Sequence, residues 1–182
     1  MRKRQVVLRD VVGLDLSLRR SAACFIPADW EPFVHGEVNW RALKTMTVGH
    51  DLKKDATPKE KAARLGKIAS SISEWVSEQA EVAFEDYAYG MAGHSGMMLA
   101  ELGGAVKYAL YTDLNIGVVP VNQSTARKFL LGKLPQKDRA SVVVAKLEEW
   151  GCPFATSDEK DAFVIANYWR TELGMPGLTL GT

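Results

Sequence analysis

Apolar residues fall in short, nearly continuous runs in the first quarter of the chain and at helical spacing through most of the rest. Segments at about 6–16, 21–28 and 40–48 are rich in β-branched and aromatic residues and separated by short polar or Pro/Gly connections, which predicts three consecutive antiparallel strands. Thr57-Pro58-Lys59-Glu60 then combines a capping box with proline at the first helical position. Behind it Leu65, Ile68, Ile72, Trp75 and Val76 recur at helical spacing and give one buried face. A short buried strand, Glu81 to Phe84, delivers Glu85 at its end. After a loop from Gly90 to Gly96, Met97 to Tyr111 reads as a helix whose Leu102, Gly103, Gly104 and Ala105 leave a smooth surface for another helix. Gly117 to Val121 is a further apolar strand, Ser124 to Leu131 a helix stopped by Gly132, Asp138 to Trp150 a helix stopped by Gly151, and Ser157 or Asp158 to Leu173 the last helix.

Three strands, alternating helix and strand, and a closing helix make an α/β sheet covered on both faces, with the first, fourth and fifth strands central and parallel. The 182 residues, 47% of them hydrophobic, suffice for one domain with a proper core and are too few for two ordinary ones. Residues 1–173 are expected to form that domain, and the glycine-rich tail 174–182 to be irregular or disordered.

Charge enters through four acidic residues at places where structure alone has little use for one. Asp15 closes the run Val11-Val12-Gly13-Leu14, Glu85 ends Val82-Ala83-Phe84, and Asp158 and Asp161 open the last helix. A fold that gathers strand ends and a helix start would converge them, and their repulsion calls for divalent cations. Two cations held by shared carboxylates suit phosphodiester hydrolysis, with Asp15 bridging, Glu85 completing one site, and Asp158 and Asp161, three apart on one helix face, completing the other. Mg²⁺ suits these oxygen donors. Each residue alone has a structural alternative: helix-dipole caps for Asp158 and Asp161, a solvated strand end for Glu85, a turn cap for Asp15. Asp86 and Glu159 point away from their neighbours and are expected outside the centre.

The 23 Lys and Arg against 22 Asp and Glu give no global nucleic-acid signature. Locally, Arg2, Lys3, Arg4, Arg9, Arg19 and Arg20 crowd the first twenty residues, and Arg127, Lys128, Lys133, Lys137 and Arg139 form a second basic region. Such patches beside an acidic cluster suit a polyanion, with solvated surface charge as the alternative. Lys133 and Lys137 near a helix start are candidates for holding phosphate, and Tyr87 and Tyr89 for stacking on an unpaired base; exposed lysines and core tyrosines are the plainer readings. His94 in the glycine loop is a weaker phosphate candidate. Cys24 and Cys152 show neither zinc spacing nor a disulfide framework, which fits a reducing intracellular compartment, and Cys24 reads as a core residue. Arg9 and Asp10 interrupt the first apolar stretch, so no signal peptide or membrane span is expected.

Taken together, Gly13-Leu14-Asp15-Leu16-Ser17, Ala83-Phe84-Glu85-Asp86-Tyr87 and Asp158-Glu159-Lys160-Asp161-Ala162 resemble the three acidic motifs of the RuvC family of Holliday junction resolvases, within the RNase H-like nucleases. The resemblance runs from about Val11 to Tyr168, and Gly132 to Lys137 with Arg139 resembles the family's phosphate-contacting segment. It implies an RNase H-like mixed five-stranded sheet, two Mg²⁺ per site with Mn²⁺ able to substitute, and a cytoplasmic homodimer, joined through the smooth helix, that nicks four-way DNA junctions symmetrically. Ala88 stands where the family often has a phenylalanine wedge, leaving strand opening to Tyr87 or Tyr89. A phage-type enzyme trimming branched DNA is compatible with this pattern. The rival readings are an RNase H-like enzyme for flaps or RNA–DNA hybrids and, from Gly13 to Ser17 followed by a hairpin, an actin-like ATP-binding domain.

Overall fold

The computed structural model describes residues 7–49, 51, 55–86, 94–132 and 139–180. Its main sheet is built from β1 (Val11–Asp15), β2 (Ser21–Ile26), β5 (Lys44–Val48), β6 (Glu81–Glu85) and β7 (Val118–Val121), in the order β5-β2-β1-β6-β7. The first three pair antiparallel, and β6 and β7 continue the sheet parallel to β1. The RNase H-like arrangement expected from the sequence is therefore present, with β7 at the edge rather than the centre. Pro120, which has no N–H to donate, is tolerated in β7 because an edge strand has an unpaired side.

The third strand starts later than the hydrophobic pattern suggests. Trp40–Ala42 forms a 3-10 turn, and the short strands β3 (Phe33–Val34) and β4 (Glu37–Val38) make a separate hairpin before it. The turn lets Trp40 bury its ring against Phe154 and Phe163 while its indole N–H donates to the Trp150 carbonyl at 2.8 Å. Extended backbone was favoured by residue type at this position, and burial of one large aromatic overrides it.

Helices α1 (Pro58–Trp75) and α2 (His94–Leu114) cover one face of the sheet, and α3 (Gln123–Leu131), α4 (Arg139–Glu149) and α5 (Ser157–Glu172) the other. The expected capping box forms, Thr57 Oγ1 accepting from Glu60 N at 3.2 Å, and α5 carries a second, Thr156 Oγ1 accepting from Glu159 N at 3.1 Å; in each the glutamate accepts from the backbone N–H of its cap. Asn122 caps α3, and Gly132 ends it at φ 75, a left-handed geometry that costs glycine little. Part of the smooth α2 surface is already used, because Leu102, Val106 and Leu110 pack with Ile68 and Ile72 of α1. Cys24 is fully buried in the core, as expected. No helix among the described residues is long and apolar enough to cross a membrane.

Residues 174–180 carry no regular element yet are fastened to the core. Asn167 Nδ2 donates to the Leu178 carbonyl at 2.9 Å and its Oδ1 accepts from Leu178 N at 2.7 Å, while Met175 and Leu178 are buried.

Candidate active site

Strand alternation puts two acids side by side. In β1, Val12 and Leu14 enter the core under α1 and α2, whereas Val11 enters the core under α5. In β6, Val82 and Phe84 point to the α1 side and Ala83 to the α5 side. Asp15 and Glu85, in the opposite phase, therefore share the α5 face. Leu14 and Phe84 are register partners across the parallel pair, so the two carboxylates end neighbouring strands at the same level. The carboxyl groups are close enough to hydrogen-bond to each other.

Helix α5 supplies the other pair. It lies directly on β1, starting at the acidic end, and its first turn carries Asp158. One turn on, Asp161 adds to the repulsion felt by Asp15 and Glu85, and Asp158 in turn repels Asp161. Two arginines meet these acids. Arg127 of α3 grips Asp161 with both edges of its fork, Nε to Oδ1 at 3.2 Å and Nη2 to Oδ2 at 2.8 Å. Arg20, in the turn between β1 and β2, donates Nε to Asp158 Oδ2 at 2.6 Å. The Gln123 side chain also hydrogen-bonds Asp161.

Burial and mutual repulsion set the electrostatics. Burial first, then the charges of Asp161, Glu85 and Asp158, push the Asp15 carboxyl up to about 8 against the relief given by Arg127. Glu85 and Asp161 are raised as well, chiefly by burial and again opposed by Arg127. The raised Asp15 carboxyl favours the protonated form, in which it can donate to Glu85. With Asp158 and Asp161 turned to arginines, no three acidic, histidine or cysteine side chains among the described residues close around one point as a metal-ligand group. The donor chemistry nevertheless fits divalent cations. Here hard carboxylate oxygens share a site in which burial and mutual repulsion disfavour their charged forms, and a cation would offset both.

Two solved structures share this architecture. Thermus thermophilus RuvC in complex with Holliday junction substrate matches over 91% of this chain and 96% of its own, with TM-score 0.62 and 16% sequence identity. The Thermus thermophilus RuvC structure matches over 91% and 97%, with TM-score 0.58 and 20% identity. The chain has the RuvC fold. No protein-family model matches the sequence, and no curated protein matches it by sequence.

Within the RuvC fold, the four expected acids occupy one end of the sheet. Asp86 is exposed beyond it, and Glu159 serves its capping box and accepts from Thr45 Oγ1 at 2.7 Å, so both lie outside the acidic centre. The expected DNA contacts Tyr87, Tyr89, Lys133 and Lys137 lie outside the described residues, as does the Arg139 side chain. Arg20, Arg127 and Gln123 are the site residues that the sequence did not single out. The two arginines were marked only by membership of the basic regions, since their partners lie 138 residues from Arg20 and 34 from Arg127, and Gln123 carried no signal.

Proposed function

We propose that this chain is a divalent-cation-dependent, structure-selective DNA endonuclease that resolves four-way junctions by paired nicks. The observation that carries it is the half-buried Asp15–Glu85 pair at adjacent parallel strand ends, within charge-repulsion range of Asp161. The RuvC fold, solved elsewhere with a Holliday junction substrate, supports the choice of DNA substrate.

In this reading Asp15, Glu85, Asp158 and Asp161 hold two Mg²⁺ ions, or Mn²⁺ in their place. Bound there, the cations supply Lewis-acid stabilisation of the charge that develops on the phosphodiester oxygens. The chain's own residues do the rest. Asp15, whose carboxyl is raised in the metal-free protein, would hold a cation in its ionised form. Arg127 keeps Asp161 oriented from α3, and the short β1 and β6 strands fix Asp15 and Glu85 without rotatable backbone. Lys133, Lys137 and Arg139 are assigned to backbone phosphates, and Tyr87 or Tyr89 to stacking on bases at the branch point.

Paired cleavage needs two sites, and a homodimer provides them. Met97, Tyr108 and Tyr111, exposed by 68%, 71% and 64%, line one side of α2 together with Gly104, where an added Cβ would meet nothing. That stripe, rather than the part packed on α1, is the proposed dimer face.

The deciding assay incubates labelled four-way junction, flap, fork, linear duplex and RNA–DNA hybrid with the protein in Mg²⁺ or Mn²⁺. Symmetrical nicks in the junction, absent in EDTA, are expected. Preferential cutting of the hybrid or flap would reassign the substrate, and no cutting of any nucleic acid with either ion would overturn the proposal.

A further inference from the structure

The two arginines that pair with the α5 aspartates, Arg20 before β2 and Arg127 on α3, hold them in different ways. Arg127 and Asp161 are largely buried, with side chains 15% and 14% exposed, and their contact is two-pronged. Arg20 holds a single oxygen of Asp158, and its side chain is 51% exposed. The backbone beneath Arg20 is fixed all the same. Ser17 Oγ accepts from Arg19 N at 3.3 Å and from Arg20 N at 3.5 Å, and Ser21 Oγ donates to the Ser17 carbonyl at 2.8 Å. Gly49 presses against the same turn so closely that a Cβ there would lie 1.8 Å from the Arg19 carbonyl oxygen. A half-exposed cationic arm, paired with Asp158, is thus mounted on a well-fixed turn at the rim of the acidic site.

We propose that Arg20 is an exchangeable counter-ion: it pairs with Asp158 in the resting protein, yields Asp158 to an incoming divalent cation, and then places its guanidinium on a phosphate of the bound DNA. This rests on the nuclease reading above. An exposed, single-oxygen ion pair is weak, so a competing cation displaces it at small cost. Breaking the buried Arg127–Asp161 pair would strand a charge away from water, so Arg127 stays where it is. A released guanidinium at the edge of a site for phosphodiesters has a matching partner in a phosphate, whose oxygens it can hold through two donors at once. The exchange would couple cation loading to DNA capture, because the arm becomes free for phosphate when the cation arrives.

The test measures Mn²⁺ binding to the metal-free, full-length chain by the electron paramagnetic resonance signal of free Mn²⁺, without DNA. Arg20→Ala should tighten Mn²⁺ binding about fivefold by removing the competitor. Arg19→Ala, which removes a neighbouring charge that faces no such partner in the proposal, should change it less than twofold, and in an Asp158→Asn background Arg20→Ala should have no effect. In a second measurement, junction binding is titrated with salt in Ca²⁺ or in EDTA. Arg20→Ala should lower the salt slope by about one in Ca²⁺ and leave it unchanged in EDTA. Equal Mn²⁺ affinity in wild type and Arg20→Ala, or equal gains from Arg19→Ala and Arg20→Ala, would overturn the exchange while leaving the nuclease reading intact. No Mn²⁺ binding by the wild type at all would overturn both.

Discussion

A Cβ on Gly13 would stand 2.2 Å from the carbonyl oxygen of Ala162 and 2.5 Å from the amide nitrogen of Ala166. Helix α5 therefore rests on β1 backbone to backbone, and this close approach brings the helix start carrying Asp158 and Asp161 over the strand end carrying Asp15. Gly13→Ala forces the helix outward, since the obstructing atoms are backbone and cannot rotate away. The expected loss is about 3 kcal/mol of unfolding free energy, at the upper end for an overpacked core. Chemical denaturation checks this, and Mn²⁺ binding by the surviving folded fraction should weaken. Wild-type stability in Gly13→Ala would show that α5 has room to move.

Asp15 makes the metal-free protein sensitive to pH in a definite direction. Its folded value of about 8 lies above its ordinary 3.8, so the folded state binds the extra proton between those limits. The stability this proton gives is complete below about pH 4 and is lost as pH rises toward 8, with a slope of at most about 1.4 kcal/mol per pH unit for one group. Glu85 and Asp161, also raised, act in the same sense. Asp15→Asn should flatten the dependence, abolish cleavage and leave junction binding largely intact. Thermal unfolding across pH 5 to 8.5 in EDTA tests the first part, and Mg²⁺ should raise the unfolding temperature more at pH 8 than at pH 5. A metal-free wild type that grows more stable over the same rise in pH would contradict the assignment.

The elements that place the acids were legible in sequence because their signals are local. Asp15 and Glu85 end apolar runs whose strand alternation fixes the face they occupy, and Asp158 and Asp161 open the apolar helical run of α5. The arginines were not legible, because a guanidinium finds its carboxylate through tertiary folding. Arg20 and Asp158 belong to opposite ends of the chain, and nothing near either announces the other. The same limit explains the third strand: Trp40 abandons extended backbone for a partner, the Trp150 carbonyl, that lies 110 residues on. In the tail, read from its glycines and Pro176 as irregular or disordered, residues 174–180 are pinned through the Asn167–Leu178 hydrogen bonds, a pairing that composition does not reveal.

Arg127 is predicted to matter for stability before it matters for chemistry. Its removal leaves Asp161, already raised by burial, without the charge that opposes that rise. Arg127→Ala should cost about 3 kcal/mol at pH 7, as expected when one member of a buried pair is deleted. The cost should shrink at pH 5, where Asp161 can take a proton instead. The double variant Arg127→Ala with Asp161→Ala should recover much of the loss, because no stranded carboxylate remains. Equal destabilisation at both pH values would mean that packing of the arginine stem, rather than its charge, is what α3 contributes.

Arg170 anchors the far end of α5 in a different manner, with its guanidinium facing carbonyls. Buried to 1% exposure, it donates from Nε to the Pro176 carbonyl at 2.9 Å, from Nη1 to Pro27 at 2.9 Å, and from Nη2 to Ala28 at 2.9 Å and Trp30 at 3.0 Å. These bonds tie the loop after β2 and the C-terminal tail to one helix, and burial lowers the guanidinium's own pKa without neutralising it. Arg170→Met preserves much of the stem volume but leaves four buried or half-buried carbonyls without this donor. A loss of about 3 kcal/mol or more is expected, and Arg170→Lys should rescue little, because one ammonium cannot reach carbonyls arranged around a planar fork. Hydrogen exchange should show the Leu178 amide, which donates to Asn167, losing protection in the same variants. An Arg170→Met protein with wild-type unfolding free energy and a protected Leu178 would show that the tail holds itself in place.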